Sequence, residues 1–530
     1  MSHSSKSSWI SIWRIESATV APPEYCICGT DELPAKHLLQ CLFGYAVGFI
    51  GGEIVLPSFI STFPLDHLPP SQLASARLLA VTAWIVGALA GVPLGKPVCS
   101  GLGRRLCLQF AAVLYIIGAA LEVFSCGKLW LFDVGRFVNG TGVGVGTLVS
   151  PIYISEISPA SKRGVLMSGY QVGVQAGALA GFWVAYIFDA AVVDDAALQW
   201  QLPASLQLVA GAALLAGSLL IPESPRYLAE QGQYGHMKES LSWLRRMDVM
   251  DPKLACEPAD IEMAADLSEK LKHHSLWNEL CKRDVRRRLF VGIGLMVAQN
   301  MAGLNAINYY ALVVFMSAGF TSTSTSLLLG GIFGIIKLVA SLAFMLKFTS
   351  VKGNRFWLML GSGVCALSML VLAYCVRHDS LTMESRVSVT GLVSVLMVYT
   401  FTFFFTVSLG PISWNVCAEI FPLHINSTCC AITTCTQWAF QIVIAAMVPP
   451  LMATVGWVTY LMFGGFCFAT LLWVHFCVPE TRGLGVGKPM DELFGAEDVA
   501  ADEEVLVEVS ETTALLVHDR RRRSSLSAFV

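Results

Sequence analysis

Twelve long apolar stretches dominate this chain of 530 residues. A helix needs about 20 apolar residues to cross the hydrocarbon core of a bilayer, and backbone surrounded by lipid must satisfy its own hydrogen bonds. With 55% hydrophobic and only 14% charged residues, the chain has too little polar surface to enclose a soluble core of this size. The sequence therefore predicts an all-α protein of the lipid bilayer with twelve transmembrane helices. The predicted spans are 38–60, 74–98, 106–126, 129–151, 167–189, 204–221, 289–316, 325–347, 356–376, 387–412, 428–450 and 456–478.

Three short motifs occur twice in the same order, which indicates two related halves. The first copies are Gly103-Arg104-Arg105, Glu156-Ile157-Ser158-Pro159 and Pro222-Glu223-Ser224. The second copies, Gly353-Asn354-Arg355, Glu419-Ile420-Phe421-Pro422 and Pro479-Glu480-Thr481, follow 250, 263 and 257 residues later. A repeat of half the chain is too long for a solenoid unit and is typical of transporters. We therefore predict two pseudo-symmetric six-helix halves.

The distribution of Lys and Arg predicts the orientation. Lys162, Arg226, Lys352 and most other cationic residues fall on one side of the spans, whereas the loops 61–73 and 190–203 contain none. Because cytoplasmic loops carry the excess of positive charge, both termini are expected in the cytoplasm. We predict a tail over 1–37, six-helix bundles over 38–222 and 289–479, a cytoplasmic linker with short helices over 223–288, and a largely disordered tail over 480–530. The plasma membrane is the expected location, and a vacuolar or endosomal membrane is the alternative.

The sequence contains no pattern that indicates an enzyme or a metal site. The sixteen cysteines mostly lie singly within spans, and the close pairs Cys26/Cys28 and Cys429/Cys430 lack zinc-ligand spacing and partner histidines. No nucleophile and base accompany the polar residues of the spans. We therefore expect no cofactor, no metal and no nucleic-acid partner, and we expect a monomer.

A small set of uncharged polar side chains lies within or next to the spans. Polar groups in the membrane interior are costly, so these residues are candidates for function. Amides donate and accept hydrogen bonds and indoles offer a flat apolar face with one donor, which together suit a ring that carries several hydroxyl groups. Hydrogen bonds between helices are the alternative role. The candidates for substrate binding are Gln171 and Gln175 of the fifth span, Gln299, Asn300 and Asn305 of the seventh, Trp414 after the tenth and Trp438 of the eleventh.

Lys337 is a further candidate for substrate binding because it lies in the middle of the eighth span. A lysine at the centre of a membrane helix costs about 2.5–3.5 kcal/mol on insertion scales. It must therefore face a cavity or a partner. Three roles fit the sequence: attraction of an anionic substrate such as a sugar acid, pairing with a carboxylate on another helix, or a neutral lysine in an apolar site.

Two charged residues lie at similar depth in the outer part of the membrane. Glu53 of the first span and Arg136 of the fourth are each seven or eight residues from the outer end of their helix. Asp133, three residues before Arg136, is a second candidate partner for that arginine. Any of these groups could titrate during transport.

These motifs resemble the sugar porter family of the major facilitator superfamily over residues 40–495. The resemblance is carried by Gly135-Arg136, Pro151 to Gly164, Pro222 to Arg226, Gly410 to Pro422 and Pro479 to Gly483. Within that family, the segments Gln299 to Tyr310 and Gly331 to Lys337 look most like fungal carriers of quinate and galacturonate. The resemblance implies two domains that rock about a central site, in which the amide and indole candidates contact substrate. It also implies that Lys337 stands where many sugar-carrying members have asparagine.

One departure from the family bears on energy coupling. Proton-coupled members have aspartate at the position of Ala46, paired with the arginine that is Arg136 here. We therefore predict facilitated diffusion of a hexose, polyol or sugar acid, unless Glu53 supplies a relocated carboxylate. The alternative is a proton-coupled carrier of quinate-like or galacturonate-like acids that uses Glu53 or Lys337. A nutrient sensor that binds without transporting is the alternative from another class.

Charged residues at the cytoplasmic helix ends are expected to control switching between states. The resemblance implies that such pairs keep the cytoplasmic side closed, and the chain keeps the pair Glu156/Arg163. It has Ser100 and Ser350 where the family has Asp, and Asn426 where the family has Arg. With fewer pairs, we expect the population to shift towards the inward-open state. The candidates for coupling or gating are Glu53, Arg136, Arg104, Arg105, Glu156, Arg163, Glu223, Arg226, Glu419 and Glu480.

Overall fold

A computed structural model describes residues 41–48, 57–159, 162–191, 196–248, 251, 256–271, 275–308, 323–382, 389–422, 424–482 and 488–495. These residues form helices, turns and short connections, and they contain no β-strand. The predicted tail over 1–37 and most of the tail over 480–530 lie outside the described residues. Glu53, one of the candidates for coupling, also lies outside them.

The helices fall into two bundles and a connecting segment. The N-terminal half consists of α1 (41–48), α2 (Pro57–Thr62), α3 (Pro70–Gly101), α4 (Arg104–Val123), α5 (Leu129–Ile157), α6 (Arg163–Ala191) and α7 (Ala196–Leu220). The segment between the halves contains α8 (Pro225–Glu230), α9 (Tyr234–Arg245), α10 (Cys256–Leu271) and α11 (Leu276–Cys281).

The C-terminal half begins directly after this segment. It consists of α12 (Arg283–Met301), α13 (304–308), α14 (Thr323–Ala343), a π-helical turn (Phe344–Phe348), α15 (Thr349–Val351), α16 (Asn354–Thr382), α17 (Val389–Thr406), α18 (Leu409–Glu419), α19 (Asn426–Thr454), α20 (Trp457–Cys477) and α21 (Lys488–Phe494).

Eleven segments of the described residues are long and apolar enough to cross a membrane. They correspond in order to the second to twelfth predicted spans. The first predicted span, 38–60, is described only over 41–48 and 57–60. The all-α membrane fold predicted from the sequence is confirmed.

Glycines bring α5 into backbone contact with α3. Gly87 and Gly91 of α3 face the carbonyl oxygens of Phe137 and Thr141, and an added Cβ would lie 2.1 or 2.2 Å from those oxygens. Small residues allow membrane helices to approach this closely. Because α5 is enclosed over most of its length, the side chain of Arg136 is held away from lipid.

Two breaks interrupt membrane helices of the C-terminal half. α12 gives way to α13 at Gly303, whose φ of 94° favours glycine and whose added Cβ would lie 2.7 Å from the ring of Phe463. α17 and α18 are separated by Val407 and Ser408. Gly361 of α16 accommodates the second break, since an added Cβ there would lie 1.9 Å from Ser408 Oγ. These breaks position the polar residues that follow them.

The two halves meet along α3 with α19 and along α6 with α14 and α18. At the end of the helices that is predicted to face the cytoplasm, Ile154 and Met167 of one half pack against Ala418 of the other. Asn415 Nδ2 donates a hydrogen bond to Ser168 Oγ at 3.3 Å across the same boundary. The halves are therefore closed against each other at this end, and the shift of the population towards the inward-open state stays a prediction.

Candidate substrate and coupling sites

The amides of α12 and α13 form a hydrogen-bonded chain with α19. Asn300 Nδ2 donates to Gln437 Oε1 at 2.7 Å, and Asn305 Nδ2 donates to Asn300 Oδ1 at 3.3 Å. Asn300 is almost completely buried. The break at Gly303 brings Asn305 back towards Asn300, so that one chain of amides crosses between the two helices. The role in helix-to-helix bonding that the sequence left open therefore applies to Asn300.

Two other amide side chains meet at the start of α18. Gln299 Nε2 donates to the carbonyl oxygen of Gly410 at 3.2 Å, and Gln171 Nε2 lies 3.4 Å from the position of a Cβ at Gly410. The buried oxygens Oε1 of Gln299 and Gln175 accept no hydrogen bond within the described part of the chain. Buried polar atoms are nearly always hydrogen-bonded, so these two acceptors are suited to a solute hydroxyl.

The two candidate tryptophans present ring faces in different surroundings. Trp414 lies against the ring of Tyr170 with centroids 5.4 Å apart. Trp438 packs edge-on against Trp84 at 5.6 Å, and its Nε1 donates to Thr147 Oγ1 at 3.2 Å. The indole donor of Trp438 is therefore engaged by the opposite half, and its ring is buried against Trp84 and Phe43.

Lys337 is buried in α14 with one polar and one aromatic neighbour. Its Nζ lies 3.2 Å from Asn308 Oδ1 and 4.9 Å from the centroid of the Phe333 ring. Its side chain is 8% exposed. None of the carboxylates in the described ranges forms an ion pair with it. These residues thus lend no support to pairing with a carboxylate on another helix, the second of the three roles.

The packing of α14 on α6 shows the depth at which Lys337 lies. Added Cβ atoms at Gly331 and Gly334 would lie 2.5 Å from Trp183 and 2.8 Å from Leu179. A step of three residues towards the C-terminus of α14 thus corresponds to a step of four residues towards the N-terminus of α6, as expected for antiparallel helices. The next equal step, from Gly334 to Lys337 in α14 and from Leu179 to Gln175 in α6, places Lys337 at the level of Gln175.

Arg136 interacts with Glu122, a carboxylate that is not among the predicted candidates. Its Nη1 lies 3.9 Å from Oε1 of Glu122 in α4, and both side chains are buried. Its Nε donates to the carbonyl oxygen of Ala80 at 3.3 Å, and its guanidinium carbon lies 5.5 Å from the centroid of Trp84. Glu122 is therefore the carboxylate that the described residues place beside Arg136.

Close packing of α5 on α4 positions this pair. Only 124–128 separate the two antiparallel helices. Gly135 faces Glu122, whose backbone nitrogen would lie 2.7 Å from an added Cβ. An equal count outwards from the turn would place Glu122 beside Trp130, so the register of the two helices is offset and the sequence did not indicate the pair.

At the end of the helices that is predicted to face the cytoplasm, Glu223 binds the start of α4. Its carboxylate accepts hydrogen bonds from the backbone nitrogen of Arg104 at 2.8 Å and of Arg105 at 3.1 Å. Burial raises the pKa of the Glu223 carboxyl, although these backbone donors oppose the shift. Glu223 therefore acts within the N-terminal half.

The predicted pairing of Glu156 with Arg163 is wrong. Glu156 Oε1 accepts from Arg104 Nη2 at 2.7 Å, and Glu156 Oε2 accepts from Ser224 Oγ at 2.5 Å. The side chain of Arg163 instead interacts electrostatically with Glu419 of the other half, beyond the distance of a direct ion pair. Arg163 and Glu419 therefore interact electrostatically across the boundary between the halves.

The remaining cytoplasmic candidates have local roles. Arg105 Nη2 donates to the carbonyl oxygen of Leu219 at 2.6 Å and thereby caps the end of α7. Arg226 lies in the same cluster, where it interacts with Glu156, and burial lowers its pKa. Glu480 accepts from the backbone nitrogens of Asn354 and Arg355 at the start of α16. None of these contacts joins the two halves.

Two bundles of membrane helices that enclose amide, indole and ammonium groups define a carrier for small polar solutes. The family described as "Sugar (and other) transporter" matches residues 34–493. The chain therefore belongs to this sugar porter family of the major facilitator superfamily, a family of transporters and not of enzymes. The resemblance inferred from the motifs is confirmed.

Curated relatives cover nearly the whole chain. A quinate permease of Neurospora africana is 31% identical over 481 residues, which are 88% of this chain and 89% of the relative. A probable quinate permease of Aspergillus niger is 31% identical over 501 residues, which are 91% and 90% of the two chains.

Solved structures share the fold. The proton:xylose symporter XylE bound to 6-bromo-6-deoxy-D-glucose has a TM-score of 0.76 and 24% identity, and the match covers 87% of this chain and 98% of the symporter. The inward-open conformation of the xylose transporter from E. coli has a TM-score of 0.64, with 87% and 97% of the two chains covered. At this identity the likeness shows the major facilitator fold.

Proposed function

We propose that this protein carries a small polyhydroxylated carboxylic acid, such as quinate or galacturonate, across a membrane by alternating access. The observation that carries this proposal is Lys337. Its ammonium group is buried and has no carboxylate partner among the described residues. A buried cation is costly unless an anion compensates it, and the carboxylate of a solute would do so. The relatives named as quinate permeases support the same solute class.

The hydroxyl groups of such a solute suit the amides around Lys337. Gln175 lies level with Lys337 in the register of α6 and α14, and its Oε1 is an unused acceptor in the described structure. Gln299 offers a second unused acceptor beside Gly410. The ring faces of Trp414 and Trp438 suit the apolar faces of a cyclohexane or pyranose ring. Contact of the solute with Gln171, Asn300 and Asn305 is proposed on the same grounds.

Counterflow in proteoliposomes tests the proposal directly. The purified protein is reconstituted with unlabelled quinate, galacturonate or glucose inside, and entry of the labelled solute is followed at equal pH on both sides. We expect exchange of quinate or galacturonate that excess glucose does not inhibit. Exchange of glucose alone would make the protein a carrier of neutral sugars. Saturable binding without any exchange would make it a sensor.

The sequence alone favoured facilitated diffusion because Ala46 removes the carboxylate that the family pairs with Arg136. The presence of Glu122 beside Arg136 removes the basis for that preference. A proton-coupled carrier is therefore the second candidate for the mode of transport, and a pH gradient across the same proteoliposomes distinguishes it from a facilitator.

Location and assembly are proposed from the sequence. The plasma membrane remains the expected site, with both termini in the cytoplasm and the protein as a monomer. The cluster of Arg104, Arg105 and Arg226 at one end of the helices supports this orientation. Protease protection of tags at the two termini in intact cells tests it.

A further inference from the structure

Glu122 lies in a buried polar cluster whose role the solute site does not explain. Its side chain is fully buried near the outer end of α4. Oε2 accepts a hydrogen bond from Gln207 Nε2 at 2.9 Å, and Oε1 lies 3.9 Å from Arg136 Nη1. Oε1 accepts no hydrogen bond from the residues that the structure describes. This oxygen can therefore take up a proton without breaking a hydrogen bond.

The other groups of the cluster are less suited to carry a proton. An arginine stays charged, and a tyrosine hydroxyl ordinarily loses its proton only at alkaline pH. Asp133 is also a carboxylate near Arg136, and its Oδ1 likewise accepts no hydrogen bond from the described residues. Its side chain, however, is only partly buried and makes no hydrogen bond to Gln207, so it is not joined to the series of contacts that leads to the solute site. The described groups around Glu122 and Arg136 are Asp133 of α5, Tyr115 of α4, Tyr45 of α1, Gln207 of α7, and Ala80 and Trp84 of α3.

The outer solution is close to Glu122. The residue is one position before the end of α4 at Val123. Phe124 and Cys126 of the following turn are exposed. A proton from the outer side therefore has about one helical turn to travel, since a turn of helix rises about 5.4 Å.

A continuous series of contacts joins Glu122 to the solute site. Gln207, which donates to Glu122, accepts through Oε1 from Asn139 Nδ2 at 3.4 Å. Asn139 Oδ1 accepts from Trp84 Nε1 at 2.9 Å, and Trp84 packs against Trp438 of the other half at 5.6 Å. A change at Glu122 therefore reaches a candidate solute residue through hydrogen bonds and one ring contact.

We propose that Glu122 is the proton-binding group of this carrier and that transport of the acid is coupled to protons through the pair Glu122/Arg136. The proposal rests on the proposed function, transport of a polyhydroxylated acid. Protonation neutralises Glu122 and removes its attraction for Arg136, which is stronger in a buried site than at an exposed surface. Arg136 and Gln207 then relax, and Asn139 and Trp84 transmit the change to the solute site.

The position of Glu122 explains how the family's missing aspartate is replaced. Ala46 is completely buried in α1 and offers no ionisable group. The carboxylate beside Arg136 comes instead from the helix that precedes α5 in the chain. Glu122 and Arg136 thus both lie in the hairpin formed by α4 and α5. The absence of a carboxylate at Ala46 therefore does not abolish proton coupling.

Two assays on the same proteoliposomes test the proposal. Counterflow of labelled quinate at equal pH reports solute exchange, and accumulation under an inward proton gradient reports coupling. For the wild type we expect both, with an uncoupler abolishing accumulation only. For Glu122→Gln we expect counterflow within about twofold of the wild type, which also shows that the variant is folded. Accumulation is expected to fall to simple equilibration.

Three further variants make the test specific to Glu122. Glu122→Asp keeps a titratable group and is expected to retain accumulation. Asp133→Asn and Glu53→Gln each remove another carboxylate and are expected to accumulate quinate as the wild type does.

The outcomes separate this proposal from the proposed function. Wild-type counterflow without accumulation would overturn the coupling and leave the carrier function intact. Normal accumulation by Glu122→Gln, or its loss only in Asp133→Asn or Glu53→Gln, would assign the proton to another group. Loss of counterflow in both Glu122→Gln and Glu122→Asp would make the residue structural. If quinate does not exchange in the wild type, the proposed solute is wrong, and the same comparison is made with galacturonate or glucose, whichever exchanges.

Discussion

Glu223 and Glu480 make equivalent hydrogen bonds in the two halves of the protein. Each carboxylate accepts from two consecutive backbone amides at the start of a membrane helix, α4 for Glu223 and α16 for Glu480. The first amides of a helix have no acceptor within the helix, and the helix dipole favours a negative charge there. The duplicated motifs thus join the ends of helices within each half, at the side predicted to face the cytoplasm.

The contact at Glu480 depends on the glycine beside it. An added Cβ at Gly353 would lie 2.0 Å from Glu480 Oε2, so Gly353→Ala is expected to displace the carboxylate and break its bonds to the backbone. Hydrogen bonds to charged groups contribute about 1.5–3 kcal/mol, and we expect the melting temperature in detergent to fall by a few degrees. Gly101→Ala is the control because an added Cβ there meets no atom within 4 Å. Equal melting temperatures of the two variants would contradict this account.

Lys337 is expected to determine the preference for an acidic solute. In Lys337→Asn, the lost interaction with a carboxylate is expected to raise the half-saturating concentration of quinate at least about tenfold, as for loss of a hydrogen bond to a charged group. Glucose carries no carboxylate, so any exchange of glucose is expected to be retained or increased. The measurement is counterflow with each labelled solute. Equal losses for an acid and a neutral sugar would mean that Lys337 supports the fold.

Gln175 and Asn300 are expected to respond differently to the loss of their amides. Gln175 has an unused acceptor in the described structure, whereas Asn300 bonds to Gln437 and Asn305. Gln175→Leu should therefore weaken solute affinity about tenfold with little change in melting temperature. Asn300→Leu should lower the melting temperature even without solute, because it leaves a buried amide partner unsatisfied. Affinity and thermal unfolding are measured on the same samples, and the reverse pattern would exchange the two roles.

The contact between Glu279 and His424 is expected to make the stability of the segment between the halves depend on pH. Burial opposes ionisation of Glu279, but hydrogen bonds from Lys282 and His424 outweigh it, so the pKa of this carboxyl is lowered. A lowered pKa contributes stability above the unfolded value, near 4.3, and this contribution disappears as the pH falls through the folded pKa. Glu279→Gln should therefore melt below the wild type at pH 7, and the difference should shrink on acidification.

An exposed acidic residue serves as the control for this pH dependence. Glu239 is 72% exposed, so Glu239→Gln is expected to follow the wild type at every pH. A difference between wild type and Glu279→Gln that grows towards acid pH would show that the sign of the shift is wrong.

The sequence predicted the fold because span length and apolar composition depend on the bilayer rather than on tertiary contacts. It also selected polar side chains that lie between the halves, since amides inside a membrane are conspicuous. It could not show which groups those amides bond. The indole donor of Trp438, for example, is used by Thr147 of the other half, 291 positions away in the chain.

The charge pairs were harder to predict because they depend on how each helix is rotated about its axis. Glu156 is one residue before the end of α5 and Arg163 begins α6, and the resemblance to the family implied that the two would pair. The rotation of α5 instead turns Glu156 towards Arg104. Glu122 was missed because the sequence matched Arg136 with Glu53 by depth and with Asp133 by spacing. Equal spacing from the turn at 124–128 would have placed Glu122 beside Trp130, so the offset between α4 and α5 could be seen only in the packed helices.

The breaks at Gly303 and at Val407–Ser408 give the C-terminal half two places at which a membrane helix can bend. In the described part of the N-terminal half, α3 and α5 are in backbone contact. We expect the short segments α13 and α18 to move towards a bound solute before a whole bundle turns. Stiffening either break should then slow the cycle while leaving the resting affinity for solute unchanged, so that the C-terminal half sets the speed of the carrier.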